Sequence, residues 1–244
     1  MTTSHKVALV TGASSGIGTH IALQLADLGM RVVCAGRNEA ALQSVVDQIG
    51  PLGHALVLDV ADADSVSTLC SRLPDEFQDI DVLVNNAGHA TGGKRRLDEG
   101  DVEQWVSIID TNLTGLVRVT HAIVPTMLAR RAGHIVNVGS VSGRKPVLGD
   151  SLYCASKYGV HGFTEVLRAD YADTPIRITE ILPGMVRTNF AATRFSDAEA
   201  GEQYYADHGV CLNPEDVAAA VVYSVQQPPN VAIAEVKIVP SGQV

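Results

Sequence analysis

This sequence predicts a doubly wound α/β fold, one parallel sheet of about seven strands with helices on both faces, on three observations. Short apolar runs alternate with longer segments of helical period along the whole chain. The runs are rich in Val, Ile and Leu without clean alternation, as strands buried on both faces of a parallel sheet require. The first run ends in a glycine-rich turn, TGASSGIG (Thr11 to Gly18), that opens a helical pattern.

The elements follow in order. Strands are expected where KVALVTG (6–12), RVVCAG (31–36), HALVLDV (54–60), DVLVNNAG (81–88), HIVNVGS (134–140), RITEILPG (177–184) and AEVKIVPS (234–241) stand. Helices fill the gaps near 16–28, 38–49, 62–72, 101–130, 151–172 and 213–226. The last of these opens on NPED, a cap residue, then Pro at the first helical position, then acids in the first turn. No repeat or low-complexity linker interrupts the alternation. A chain of 244 residues is near the upper limit for one core, so 1–244 is expected to be one Rossmann-type domain, with a polar, mixed segment at about 185–212 as a lid.

Hydrophobic residues make up 46% and charged ones 18%, an ordinary globular composition. The formal net charge of −9 argues against a general nucleic-acid or anionic-membrane binder. The basic run at Lys94 to Arg96 reads as a solvated loop tip. No basic-plus-apolar leader opens the chain and no run reaches bilayer length, so the expected compartment is cytoplasmic. Cys34, Cys70, Cys154 and Cys211 lie far apart with no C-x-x-C spacing. They fit a reducing compartment and neither a disulfide framework nor a metal site. No histidines pair at ligand spacing, and no metal is expected.

The glycine turn lies where a parallel α/β unit places a helix N-terminus at the carboxyl edge of the sheet. Unpaired N–H groups and the helix dipole attract phosphate there, and Gly12, Gly16 and Gly18 let backbone approach a pyrophosphate. The second strand ends at Gly36-Arg37, where an NAD site usually carries an acid for the ribose 2′-OH. A missing carboxylate and an added guanidinium suit a 2′-phosphate, so the expected cofactor is NADP(H).

SLYCASKYG places Tyr153 and Lys157 four residues apart on one helix face, and Ser140 stands thirteen residues before Tyr153 at a strand end. This set suits proton transfer at a carbonyl or alcohol oxygen. A tyrosine pKa of about 10 is too high for a neutral-pH base, and a nearby ammonium would lower it. Ser140 would donate to the same oxygen, with Ser142 its rival.

At this point the chain resembles the short-chain dehydrogenase/reductase family. TGASSGIG, Asp59-Val60, NNAG at 85–88, DTN ending at Asn112, the Ser140/Tyr153/Lys157 set and PGMVRT at 183–188 occur in order across the chain. The resemblance implies Tyr153 as acid/base, Ser140 as the substrate-orienting donor, Lys157 on the nicotinamide ribose, and Asn112 in a water-linked proton relay. It implies cofactor contacts at Gly12, Ser14, Ser15, Gly16, Ile17, Gly18 and Arg37. Asp59 and Val60 would lie by the adenine, Asn86, Ala87 and Gly88 on the adenosine side, and Pro183, Gly184, Val186 and Thr188 near the carboxamide or phosphates. A homotetramer built on the two long helices is also implied.

LPDEFQDIDVLVNNAG, TRFSD, NPEDVAAAV and KIVPSGQV are similar to the NADP-dependent 3-hydroxy acid (L-serine 3-) dehydrogenase branch, which acts on short hydroxy acids and semialdehydes, sulfonate analogues included. In that setting Arg194 would clamp a carboxylate or sulfonate, with Arg144 a second candidate. The expected substrate is therefore a small anionic hydroxy or oxo compound. A general carbonyl or 3-oxoacyl-carrier reductase is the alternative. A non-catalytic dinucleotide sensor would have no need of the Ser/Tyr/Lys/Asn set.

Overall fold

The computed structural model describes residues 5–242. Its sheet is wholly parallel. The chain runs through β1 (Val7–Thr11), α1 (Gly16–Asp27), β2 (Arg31–Gly36), α2 (Glu39–Ile49), β3 (Gly53–Val57), α3 (Ala63–Ser67) and β4 (Ile80–Asn85). It continues through α4 (Val102–Ile109), a π-helical stretch (Asp110–Gly115), α5 (Leu116–Arg130), β5 (Gly133–Val138), α6 (Ser151–Asp170) and β6 (Ile176–Pro183). Two short helices, α7 (Phe190–Phe195) and α8 (Ala198–His208), precede α9 (Pro214–Val225) and β7 (Glu235–Ile238). The strand order β3-β2-β1-β4-β5-β6-β7 makes one seven-stranded sheet.

That order reverses direction between β1 and β4, which pair in register at Val10 and Val84. The loops after these two strands diverge there and leave a crevice at the carboxyl edge. Each face of the sheet carries its own core. Ile21, Leu25, Leu42, Val217 and Val221 from α1, α2 and α9 cover one face; Val119, Ile123, Met127 and Leu167 from α5 and α6 cover the other. Fully buried β1 shows why the central strands read as unbroken apolar runs. The edge strand β7 alternates exposed and half-buried residues instead.

A polar chain pins the helices beneath the site. Asn85 Nδ2 donates to Thr120 Oγ1 on α5 and to Asn137 Oδ1 on β5, both at 2.9 Å, and Asn137 Nδ2 donates to Thr164 Oγ1 on α6 at 2.9 Å. Every partner is buried, so the network fixes which strand faces which helix. Asn213 and Asp216 form a reciprocal capping box with Pro214 at the first turn of α9, as NPED suggests. Among the described residues, no helix is long and apolar enough to cross a membrane.

Candidate active site

The turn from β1 to α1 is built by glycine. Gly12 and Gly16 sit in the left-handed region, at φ +66° and +55°, where a side chain would be strained. Ser15 caps α1 in an extended conformation without offering its hydroxyl to the helix. The first N–H groups of α1 therefore lack a side-chain cap and can serve an anion in the crevice. Asn86 Nδ2 donates to the Thr11 and Gly12 carbonyls at 2.9 and 3.3 Å, while Thr11 Oγ1 accepts from the Asn86 and Ala87 amides at 3.0 Å. The Asn86 side chain thus braces the glycine turn. Gly18 lies behind it, where a Cβ would collide with the Gly12 carbonyl oxygen and the Asn86 side chain.

A cavity of about 750 Å³ runs from this turn to the end of β5. One end holds Ser14, Arg37, Asp59 and Val60; Gly16, Ile17 and Gly88 line the middle; Ser140, Tyr153 and Lys157 mark the far end, facing Pro183, Gly184, Val186 and Thr188. Gly36 is buried at the end of β2 against Ser14, and Arg37 beside it is exposed at the rim. The cavity thus brings these candidate residues together. Gly18, Asn112 and Arg144 do not line the cavity.

At the far end, α6 presents Tyr153 and Lys157 from successive turns. The phenol ring packs edge-on to Phe190 of α7, centroids 5.5 Å apart. Ser140 begins the single turn that follows β5, its Oγ accepting from the Ser142 amide at 3.1 Å. The same hydroxyl bonds to Tyr153, favouring the phenolate. Ser142 also lines the cavity, but this bond belongs to Ser140. Burial nevertheless raises the Tyr153 pKa, and the charge that opposes it most is Arg194. Lys157, the cation that the sequence reading paired with the phenol, also stands beside the ring. The ammonium lies 5.9 Å from the ring centroid and donates to the Val138 carbonyl at 2.9 Å. Burial lowers the Lys157 pKa to about 8, with Glu180 pulling it back up.

Asn112 stands in the π-helical stretch, a distortion often found at functional sites. Its Oδ1 accepts from the His89 amide at 2.8 Å, and its Nδ2 donates to the His89 carbonyl at 3.0 Å and to Ser156 Oγ at 3.1 Å. The side chain is consumed in tying β4's loop to α6, so a relay through Asn112 would fall to its main chain.

The sequence profile described as "short chain dehydrogenase" matches residues 6–199. The chain belongs to the short-chain dehydrogenase family. Over 240 residues it is 38% identical to an NADP-dependent 3-hydroxy acid dehydrogenase of Salmonella typhi, covering 97% of this chain and 96% of that one. Sulfoacetaldehyde reductase 2 of Chromohalobacter salexigens is 38% identical over 241 residues, 97% of this chain and 95% of its own. Among solved structures, the closed form of serine dehydrogenase complexed with NADP+ superposes with a TM-score of 0.94 at 37% identity, covering 98% of this chain and 96% of that one.

In this short-chain dehydrogenase the segment over the Ser140/Tyr153 end of the cavity is α7 and α8, which the polar sequence there did not reveal. Tyr205 of α8 is buried and anchors it. Its hydroxyl donates to the Thr188 carbonyl at 2.9 Å and accepts from the Thr188 and Ala191 amides at 3.3 Å. Arg194 reaches down from α7 and is only 4% exposed. Its Nη1 donates to Asp150 Oδ2 at 2.9 Å, and its Nε is buried without a partner. Asp150 holds the N-cap position of α6, yet its side chain caps nothing and is given to the arginine. Burial pushes the Asp150 pKa up, against the pull of Arg194 and Lys94.

Arg144 departs from expectation. It pairs with Glu235 of β7 and faces away from the cavity, because a side chain four residues past Ser140 leaves the turn toward the sheet edge. Lys94 departs the other way. It lines the cavity, its Nζ lying 4.9 Å over the Tyr204 ring, whereas Arg95 and Arg96 are exposed as a loop tip would be. Trp105 is core, filling the space above Gly92 and Gly100. His161, Glu180 and Glu235 bring ligand-type atoms within 4.8 Å of one another, a grouping that sequence spacing did not show. Glu180 is already bonded to His161 at 2.8 Å and Glu235 to Arg144.

Proposed function

We propose that this protein is an NADP(H)-dependent oxidoreductase that interconverts the carbonyl and alcohol of a small anionic hydroxy acid or semialdehyde. The observation that carries the reading is one continuous cavity joining a glycine-built helix N-terminus to the Ser140/Tyr153/Lys157 group. NADP(H) fits that cavity. The uncapped N-terminus of α1 would hold the pyrophosphate, and Arg37, beside a Gly36 that offers no carboxylate, would hold the 2′-phosphate. Asp59 and Val60 would lie by the adenine, Lys157 by the ribose, and Thr188 by the carboxamide. The cofactor supplies the hydride. Tyr153 gives or takes the proton at the substrate oxygen, and Ser140 donates to that oxygen and holds it against the phenol.

The anionic substrate is supported by the charges at that end. Lys94, Lys145 and Arg194 line the cavity there against the carboxylate of Asp150. Relatives described as acting on 3-hydroxy acids and sulfoacetaldehyde agree with it. Residues 185–212 act as the lid. Exposed Val102 and Val106 on α4 and Tyr158 and Val166 on α6 leave apolar surface that a homotetramer would cover. Four free cysteines fit a cytoplasmic setting.

Two measurements test this. In Arg37→Asp, NADPH affinity should fall by about 1.5–3 kcal/mol, the worth of a charge-assisted contact, while NADH affinity holds or improves; equal losses for both would refute the 2′-phosphate site. In the wild type, kcat/KM for malonate semialdehyde should exceed that for a neutral aldehyde of similar size. Equal values would move the substrate to the general carbonyl class.

A further inference from the structure

We propose that Arg194 is a positioning residue for Tyr153, holding a permanent positive charge against the face of the catalytic phenol and carried there by the lid helix α7. This rests on Tyr153 being the acid/base and goes beyond the role of Arg194 toward a substrate anion.

The guanidinium carbon lies 5.2 Å from the Tyr153 ring centroid and 5.2 Å from that of Phe190. The contact is dry, with Arg194 4% and Asp150 7% exposed, so the attraction is little screened. A phenolate ring face is more negative than a phenol face, and the cation therefore favours the ionised form. Three constraints hold the guanidinium there. Asp150 takes Nη1, Phe190 and Tyr153 flank it, and the Gly93 amide donates to the Arg194 carbonyl at 2.8 Å, fixing the end of α7.

The other groups facing the phenol explain why a second cation is useful. On α6 they are Asp150 and Cys154, whose negative forms oppose ionisation, and Lys157; from the end of β5 it is Ser140, whose hydroxyl favours it. Lys157 sits near pH 8, so its charge fades in mildly alkaline solution. A guanidinium cannot be titrated in that range. Because Arg194 stands on α7, Tyr153 receives its charge only when that helix is packed over the site.

The test uses a neutral alcohol and its aldehyde, so that no substrate anion competes for the arginine. Arg194→Met keeps the apolar stem and removes the charge; Arg194→Lys keeps a charge. The pH profile of kcat for alcohol oxidation is recorded for both. Tyrosinate absorbance is titrated in each protein against the same protein carrying Tyr153→Phe. Arg194→Met should move the Tyr153 transition upward by about one to three pH units, the effect of an opposite charge at this range, in both readouts. Arg194→Lys should restore most of it. Lost activity with an unmoved profile would make Arg194 structural and overturn the proposal. So would an effect confined to KM for malonate semialdehyde, or a shift in Arg194→Lys as large as in Arg194→Met. If Tyr153→Phe itself keeps full activity, the acid/base assignment fails, and that outcome is separate from any result at position 194.

Discussion

Tyr153→Phe is expected to lower turnover by about 10²–10⁴-fold, the usual contribution of a positioned acid/base, while leaving NADPH affinity and Tm near wild type. The substitution removes one oxygen and keeps the ring. That ring packs edge-on to Phe190 and under the Arg194 guanidinium, and both contacts survive in phenylalanine. What is lost is the proton that Ser140 helps to place. Steady-state rates in both directions, with a fluorescence titration of NADPH, separate chemistry from binding. Activity within tenfold of wild type would mean that another group moves the proton.

Gly18→Ala should weaken cofactor binding from outside the cavity, which Gly18 does not line. The new methyl collides with the Gly12 carbonyl and the Asn86 amide, the two groups that shape the turn and brace it. Relief requires the turn to move outward, which displaces the helix N-terminus prepared for the pyrophosphate. Overpacking of this kind costs about 1–3 kcal/mol, or roughly 5- to 150-fold in an equilibrium constant. NADPH Kd should rise by that order and Tm should fall; unchanged values of both would show that the close packing has no function.

The strands and their carboxyl-edge turns were legible because parallel strands buried on both faces must be continuous apolar runs, and because left-handed turns demand glycine, as at Gly12 and Gly16. The Ser140, Tyr153 and Lys157 spacing was legible for a similar reason, since a strand end and one helix face fix their relative places. Other features were not. The π-helical stretch around Asn112 lies inside what reads as one helix from 101 to 130, because an i→i+5 turn leaves the apolar pattern nearly intact. The helices α7 and α8 are short and are tied down by the Tyr205 hydroxyl on Thr188 and by the Arg194 pair with Asp150. Asp150 looks like a helix cap by residue type and position, yet its partner stands forty-four residues away. Lys94 and Arg144 were misjudged for one reason. Sequence gives a side chain's charge but not its direction, and the Tyr204 ring of α8 in one case and Glu235 in the other decide where each points.

The most direct measurement is to incubate the wild type with malonate semialdehyde and NADPH deuterated at the transferable nicotinamide position, and to analyse the hydroxy acid by mass spectrometry. A hydride-transferring enzyme for small anionic carbonyls predicts one deuterium on the carbinol carbon, with none appearing under Tyr153→Phe on the same time scale. NADPH consumption without label in the hydroxy acid, or no turnover of the semialdehyde by a protein that binds NADPH, would contradict it.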